Sequence, residues 1–263
     1  MTSFEPAAIR ALILDMDGVL WLADQPLGDL PSIFAEIDRH GWKVTLATNN
    51  STLSVDSYLD KLAGFGVFLQ RWQIINSSQA VAHYLHEKFP HGGPVYMIGE
   101  AGLTQALAEQ NFYHSEEEVQ AVVSSMDRQL SYQKLSQATL FIRSGIPFIG
   151  TNPDRTFPTP LGLVPGAGAI LAALEAASDI KPYVVGKPAP EMYRVALDRL
   201  GTLPEETLVV GDRIETDILG AQALGCATGL VLSGVTSEAK AREWRPAPDL
   251  IAADLTTLLK ILN

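Results

Sequence analysis

The chain has 263 residues, of which 47% are hydrophobic and 19% charged, a balance typical of globular proteins. Thirty acidic residues against nineteen Lys and Arg give a net charge of −11, which argues against nucleic acid or an anionic membrane as the main partner. No segment has the pattern of a signal peptide or the length of a membrane span. The single cysteine, Cys226, cannot form an intrachain disulfide and lies in an apolar run. These features predict a cytoplasmic protein in which Cys226 packs in the core.

The first 78 residues alternate between predicted strands and helices. An apolar run at Ala11–Leu14 predicts a buried strand, and runs at 44–48 and 74–76 predict two more. Helical patterns lie between them at 30–41 and 54–62. Strands that alternate with helices predict a parallel sheet with right-handed crossovers.

The middle of the chain has a looser alternation of its own. Residues 79–180 are predicted to form a separate α/β domain, because about a hundred residues is a plausible domain size. The alternation of predicted strands and helices seen in the first 78 residues then resumes, with a predicted strand at 208–212. Residues 1–78 and 181–263 are therefore predicted to form one discontinuous core.

Polar side chains follow several of the predicted strands at the points where these strands end. The carboxyl ends of parallel strands meet at one edge of a sheet, so these side chains are expected to converge. Two of the carboxylates, those of Asp15 and Asp17, are separated by one residue, so an extended backbone points both side chains to the same side. The candidate set is Asp15, Asp17, Thr48, Asn49, Lys187, Asp212 and Asp217.

These groups suit phosphoryl transfer. Hard oxygen ligands with few histidines are typical of Mg²⁺ rather than zinc. One carboxylate can attack phosphorus to form an aspartyl-phosphate, and a second can serve as acid and then base. Asp15 and Asp17 have the spacing for these two roles. Lys187 would neutralise phosphoryl charge, and Thr48 and Asn49 would hydrogen-bond phosphate oxygens.

Four segments, in order, resemble the motifs of the haloacid dehalogenase superfamily of phosphohydrolases. They are D-M-D-G-V at 15–19, T-N-N at 48–50, G-K-P at 186–188 and G-D-R-I-E-T-D at 211–217. The resemblance extends over essentially the whole chain. Further details resemble the NagD branch, which includes phosphatases similar to those for p-nitrophenyl phosphate, phosphoglycolate, pyridoxal phosphate and nucleoside monophosphates. These details lie at 17–21, 48–51, 150–154 and 233–236.

The resemblance implies a Rossmann-like parallel core with an inserted α/β cap of the C2 type. Only 29 residues separate Gly18 from Thr48, whereas 138 lie between Thr48 and Lys187, so residues 79–180 are the expected cap. The implied activity is that of a Mg²⁺-dependent phosphomonoesterase acting on a small phosphorylated metabolite. Relatives with such caps also suggest a homodimer formed through the cap.

The resemblance also implies roles for single residues. Asp15 is expected to be the nucleophile and Asp17 the general acid and base, while Thr48 and Lys187 bind the phosphoryl group. Asn49 and Asn50, which follow Thr48, are expected to bind substrate.

A metal site is implied by the same motifs. The Asp15 carboxylate, the backbone carbonyl of Asp17 and Asp212 are expected to hold Mg²⁺. Asp217 is expected to support the waters of the metal or to orient Lys187. The alternative for Asp217 is an ordinary solvated acid at the start of a helix, where the helix dipole favours it.

Several candidates keep a second interpretation. Asn152 contacts substrate or only forms a turn with the Pro-Asp that follows it. Arg128, beside Asp127, binds a substrate carboxylate or phosphate or is an ordinary loop charge. Trp21 is interpreted as a packing residue. Two alternatives to a phosphatase remain, namely a mutase-like phosphotransferase and a non-catalytic phosphate-binding module.

Overall fold

The structure is a computed structural model that describes residues 5–159 and 162–262. Its strands, in chain order, are β1 (Ala11–Leu14), β2 (Trp21–Leu22), β3 (Gln25–Pro26), β4 (Lys43–Thr48), β5 (Ile74–Asn76), β6 (Gly93–Ile98), β7 (Phe112–His114), β8 (Val122–Ser124), β9 (Phe148–Gly150), β10 (Thr156–Thr159), β11 (Gly162–Pro165), β12 (Tyr183–Val184), β13 (Thr207–Gly211), β14 (Ala227–Val231) and β15 (Leu250–Ala252).

The α-helices are α1 (Leu30–Arg39), α2 (Val55–Gly64), α3 (Ser77–Lys88), α4 (Ala101–Ala108), α5 (Tyr132–Arg143), α6 (Ala167–Ser178), α7 (Pro190–Leu200), α8 (Leu219–Leu224), α9 (Glu238–Glu243) and α10 (Leu255–Leu262). A π-helical turn, Ile214–Ile218, directly precedes α8. Within the described ranges, no helix combines the length and the apolar character that crossing a bilayer requires.

The chain forms two compact units. The first contains the described residues up to Thr48, then Asp56–Ile75, and the described residues from Lys187 onward. The second contains Asn49–Val55 and Asn76–Gly186. The sequence predicted the insertion at residues 79–180, and these residues all lie in the second range of the second unit.

The first unit is built on a six-stranded sheet with the order β15-β14-β13-β1-β4-β5. Strand β1 runs parallel to both of its neighbours, with Leu14 opposite Val210 on one side and Leu46 on the other. All four residues of β1 are buried, as expected for a parallel strand covered on both faces. The predicted parallel sheet of the core is confirmed, and it places the residues that follow β1, β4 and β13 at one edge.

Helix α1 illustrates how the local sequence sets an element. Asp29 precedes it and accepts a hydrogen bond from the Ser32 hydroxyl at 2.5 Å, and proline occupies its first turn. Leu30, Ile33 and Ile37 are buried at helical spacing. These signals predicted a helix from residue 30, and the structure confirms it.

The second unit is built on a five-stranded sheet with the order β12-β9-β8-β6-β7, and all its strand pairs are parallel. Its core packs the apolar faces of α5 and α6 on this sheet, with Ile98, Val122, Ile142 and Leu174 fully buried. The strands β10 and β11 form a separate antiparallel hairpin. The predicted second α/β domain therefore has a parallel sheet of its own.

Several elements differ from the sequence prediction. The short hairpin β2–β3, the hairpin β10–β11 and helix α9 were not predicted, because each is only a few residues long. The helix at whose start Asp217 was alternatively placed begins three residues earlier, at Ile214, as the π-helical turn. Residues 49–55, 76–78 and 181–186, predicted in the core, belong to the second unit. There Ser77 and Ser78 donate hydrogen bonds to the carbonyls of Asn49 and Ser51 at 2.7 and 3.1 Å, and β12 pairs with β9.

Candidate active site

Lys187 lies at the centre of a buried cluster at the carboxyl edge of the first sheet. Its Nζ is 2.6 Å from Asp15 Oδ1 and 2.6 Å from Asp217 Oδ1, and it donates to the Ala47 carbonyl at 2.8 Å. Only 3% of Lys187 is exposed. Burial opposes its charge, but Asp15 and Asp217 outweigh that effect and raise the pKa of Lys187. The side chain is therefore a charged lysine held among carboxylates.

Three carboxylates surround a space suited to a cation. Oxygens of Asp15, Asp212 and Asp217 lie within 4.8 Å of one another. Asp212 Oδ2 accepts a hydrogen bond from the Val235 amide at 2.6 Å, whereas its buried Oδ1 has no hydrogen-bond partner among the described residues. Buried polar atoms normally have partners, so this oxygen and the donor set fit a divalent ion.

The charge balance of the cluster leads to the same conclusion. Burial raises the pKa of Asp15 well above its ordinary value; Lys187 lowers it, and Asp217 and Asp212 raise it again. Burial and Asp217 likewise raise the pKa of Asp212. Three carboxylates against one ammonium group leave a negative excess that a bound cation would relieve.

Asp217 is fixed by the π-helical turn and is 1% exposed. Its Oδ2 accepts from the Arg213 amide at 3.0 Å, while its Oδ1 faces Lys187. A Cβ on Gly211 would come within 2.2 Å of Asp217 Cβ, so glycine is needed where β13 passes this side chain. The structure therefore does not show the solvated helix start that was the alternative for Asp217.

Asp17 lies on the turn that follows β1, and it is exposed. Gly18 turns the chain there with a φ of +88°, a conformation that favours glycine. Asp17 Oδ1 accepts a hydrogen bond from Trp21 Nε1 at 2.9 Å. Surrounding protein raises the pKa of the Asp17 carboxyl, and the Trp21 bond acts in the opposite direction. Trp21 is buried, as predicted, but it also makes this polar contact.

Thr48 ends β4 and is buried. It shares a side-chain hydrogen bond with Tyr58, a buried residue of α2 whose pKa burial raises well above its ordinary value. Sequence reasoning missed Tyr58, because Val55, Tyr58 and Leu62 are the buried stripe of an amphipathic helix and tyrosine fits such a stripe as a packing residue. The Tyr58 hydroxyl nevertheless lies near the carboxylates of Asp15, the candidate nucleophile, and Asp17, the candidate acid.

Two of the remaining candidates, Asn49 and Asn152, lie in the second unit and contact each other. Asn152 is buried, and its Nδ2 donates to the Asn49 carbonyl at 2.7 Å. The Asn49 side chain donates to Asp154 Oδ2 at 3.4 Å. The Asn152 amide therefore fixes the backbone next to Thr48, and substrate contact by Asn49 and Asn152 stays a prediction.

The side chains of the other two candidates in the second unit, Asn50 and Arg128, also form hydrogen bonds within the protein. Asn50 Oδ1 accepts from the amide and hydroxyl of Thr52 at 3.0 and 2.8 Å. Arg128 forms a bidentate pair with Glu100, through Nε at 2.7 Å and Nη2 at 2.5 Å. The described contacts hold both side chains within the second unit, so their role in substrate binding also stays a prediction.

Comparison with known proteins identifies the family. A family model described as haloacid dehalogenase-like hydrolase matches residues 12–113, and one described as HAD-hydrolase-like matches residues 184–258. An acid sugar phosphatase of Staphylococcus saprophyticus is 31% identical over 255 residues, which cover 97% of this chain and 98% of the relative.

Solved structures give the same result. A 4-nitrophenylphosphatase from Thermotoga maritima matches with a TM-score of 0.92 and 30% identity, covering 98% of this chain and 99% of that one. NagD from E. coli K-12 matches with a TM-score of 0.88 and 30% identity, covering 94% and 97%. The chain therefore belongs to the haloacid dehalogenase-like hydrolases. It is a phosphatase of the NagD branch, and the predicted enzyme class, a phosphoric monoester hydrolase, is confirmed.

Proposed function

We propose that this phosphatase hydrolyses monoesters of small phosphorylated metabolites through an aspartyl-phosphate on Asp15, with Mg²⁺ bound at the acidic cluster. The observation that carries the proposal is the buried arrangement of Asp15, Asp212 and Asp217 around Lys187, with one Asp212 oxygen lacking a partner among the described residues. Relatives named as acid sugar phosphatases and nitrophenylphosphatases support sugar phosphates and aryl phosphates as the first substrates to try.

The proposed reaction has two steps. An Asp15 oxygen attacks phosphorus and the bond to the ester oxygen breaks, while the Asp17 carboxyl gives its proton to that oxygen. Asp17, now a carboxylate, takes a proton from water as the water attacks phosphorus, and the Asp15 carboxylate leaves with its bonding electron pair. Lys187 and Thr48 bind phosphoryl oxygens in both steps. Inorganic phosphate and the alcohol are the products.

The metal would be held by the carboxylates of Asp15 and Asp212 and the backbone carbonyl of Asp17, with Asp217 beside them. Bound there, Mg²⁺ would supply positive charge against the negative charge of the transferring phosphoryl group. Asp217 would hold the Lys187 ammonium group in place by the attraction between their charges, which lie 2.6 Å apart.

The test is phosphate release from p-nitrophenyl phosphate and a panel of sugar phosphates, with added Mg²⁺ or with a chelator. Asp15→Asn removes the nucleophile, so we expect at least about a 10³-fold loss of turnover with an unchanged fold by circular dichroism. Asp60→Asn, which changes an exposed acid on α2, is the matched control and should retain full activity.

Three outcomes would contradict the proposal. An active Asp15→Asn enzyme would exclude the nucleophile assignment, and full activity in chelator would exclude the metal. Transfer of phosphate to a second sugar without release of inorganic phosphate would favour a mutase-like phosphotransferase. The homodimer through the second unit and the cytoplasmic location also stay proposals, and size-exclusion chromatography with light scattering tests the first.

A further inference from the structure

The turn after β1 is closed by Trp21, whose side chain returns to Asp17. Trp21 Nε1 donates to Asp17 Oδ1 at 2.9 Å, and the backbone repeats the connection, because the Gly18 amide donates to the Trp21 carbonyl at 2.7 Å. Trp21 is 1% exposed, whereas Asp17 is open to solvent. A buried donor therefore holds one carboxylate oxygen of an exposed residue.

Trp21 is in turn held by α2. Lys61 Nζ lies 4.7 Å from the centroid of the Trp21 ring, within the range of a cation–π contact. The same ammonium group donates to the Ala23 carbonyl in the β2–β3 hairpin at 2.6 Å. The Phe65 ring, just past α2, lies 6.0 Å from the Trp21 ring in a tilted arrangement. The indole thus has one orientation, set by residues of the first unit.

This arrangement has a consequence for the Asp17 side chain. The Trp21 indole nitrogen can only donate, so its bond selects one rotation of the Asp17 carboxylate out of the several that an exposed aspartate can adopt. With Oδ1 occupied, Oδ2 is the oxygen left to exchange a proton with the substrate. An error of about 1 Å in placing a reacting group can cost about 10²-fold in rate.

We propose that Trp21, held by Lys61, is a positioning residue that orients the Asp17 carboxylate for proton transfer to the leaving oxygen. This inference rests on the role of Asp17 in the proposed function. It gives Trp21 an orienting role in addition to the packing role that its burial alone would indicate. A packing role would affect all substrates alike, whereas an orienting role matters most when the leaving oxygen needs a proton.

The test compares leaving groups in Trp21→Phe, which keeps an aromatic ring and removes the N–H. For an alkyl phosphate, whose leaving group is poor, we expect kcat/KM, which reports the steps up to departure of the leaving group, to fall about tenfold or more, a part of the 10²–10⁴-fold that acid catalysis supplies. For p-nitrophenyl phosphate, whose leaving group departs without a proton, we expect kcat/KM to change by less than about threefold. The inhibition constant of inorganic phosphate should not change. Trp72→Phe, a half-exposed tryptophan distant in sequence from the turn, is the control.

Asp17→Asn, assayed in parallel, separates this inference from the proposed function. If Asp17→Asn lowers kcat/KM equally for both substrates, the acid role of Asp17 is wrong. If Asp17→Asn is selective for the alkyl phosphate and Trp21→Phe is uniform or without effect, the inference about Trp21 is overturned. Should Trp21→Phe fail to fold, Lys61→Met replaces it. Selective loss with the alkyl phosphate then supports the inference, and a uniform or absent effect overturns it.

Discussion

At the scale of single residues, the cluster around Lys187 is stable only as a set. A buried ammonium group needs partners, and a buried carboxylate needs them equally. Asp15 and Asp217 each lie 2.6 Å from Lys187, so removing any member leaves the others uncompensated. The same contacts that keep these charges buried also hold them in the arrangement that the proposed reaction requires.

Cys226 offers a prediction about a residue outside the site. Burial raises the pKa of its thiol to about 12, and only 6% of the residue is exposed. The thiolate is the reactive form, and at pH 8 it would be about one part in 10⁴. We expect no labelling of the native protein by a disulfide reagent at pH 8, and rapid labelling after unfolding in guanidinium chloride.

The sign of the pH effect follows from the raised pKa. Between pH 8 and pH 10 the labelling rate of native protein should climb about tenfold per unit without a plateau. A plateau near pH 8 to 9 would show an ordinary, accessible thiol and would contradict the burial of Cys226. The unfolded protein serves as the internal control, since its thiol has an ordinary pKa.

There is a physical reason why the sequence could predict some residues of the site and not others. Asp15, Thr48 and Asp212 stand at the ends of β1, β4 and β13, neighbours in one parallel sheet, so strand pattern and sheet topology suffice to bring them together. Lys187 follows β12, a strand of the five-stranded sheet, so sheet topology alone does not explain its place in the cluster. Tyr58 could not be found this way, because a helix presents buried residues at 3.6-residue spacing whether they pack or also bond. The Trp21 contact to Asp17 depends on a turn geometry that no periodicity encodes.

At the scale of elements, the loop after β14 fixes the position of Asp212. Ser233 donates to the Gly18 carbonyl at 2.6 Å, and the Val235 amide donates to Asp212 Oδ2 at 2.6 Å. A Cβ on Gly234 would lie 1.9 Å from the same Asp212 oxygen. The loop therefore approaches Asp212 so closely that only glycine fits between them.

Gly234→Ala is expected to displace Asp212 and to weaken metal binding. Overpacking at such a position costs about 1–3 kcal/mol, measurable by chemical denaturation, and the Mg²⁺ concentration for half-maximal phosphate release should rise. Gly64→Ala is the matched control, because the Cβ position of Gly64 has nothing within 4 Å. Equal behaviour of the two variants would contradict the close contact inferred for this loop.

The elements that the sequence predicted are those with a clear hydrophobic pattern. Helix α1 buries Leu30, Ile33 and Ile37 at helical spacing, and β1 and β13 are predominantly apolar runs buried at every position. The hairpin β10–β11 has two prolines and mostly exposed residues in β11, so no hydrophobic pattern indicated it. The π-helical turn before α8 widens one helical turn to place Asp217, a local departure that helix propensity does not specify.

At the scale of the whole molecule, the negative cluster predicts that a divalent ion stabilises the fold. A ligand that binds only the native state at a hundred times its Kd adds about 2.7 kcal/mol. We expect Mg²⁺ to raise the unfolding temperature in differential scanning fluorimetry, and Asp212→Asn to reduce that increase. NaCl at equal ionic strength is the control. An equal increase in NaCl, or in Asp212→Asn, would contradict a specific site.

The chain passes between the two units at four points, and two of these junctions adjoin Thr48 and Lys187. A chimera that exchanged the whole second unit for that of a relative would thus be spliced right beside two phosphate-binding candidates. Exchanging only the contiguous block 79–180 needs two joints instead of four and leaves residues 49–55 native. Block exchange of residues 79–180 would then test whether this block sets the substrate preference, while Thr48 and Lys187 keep their native neighbours in the chain.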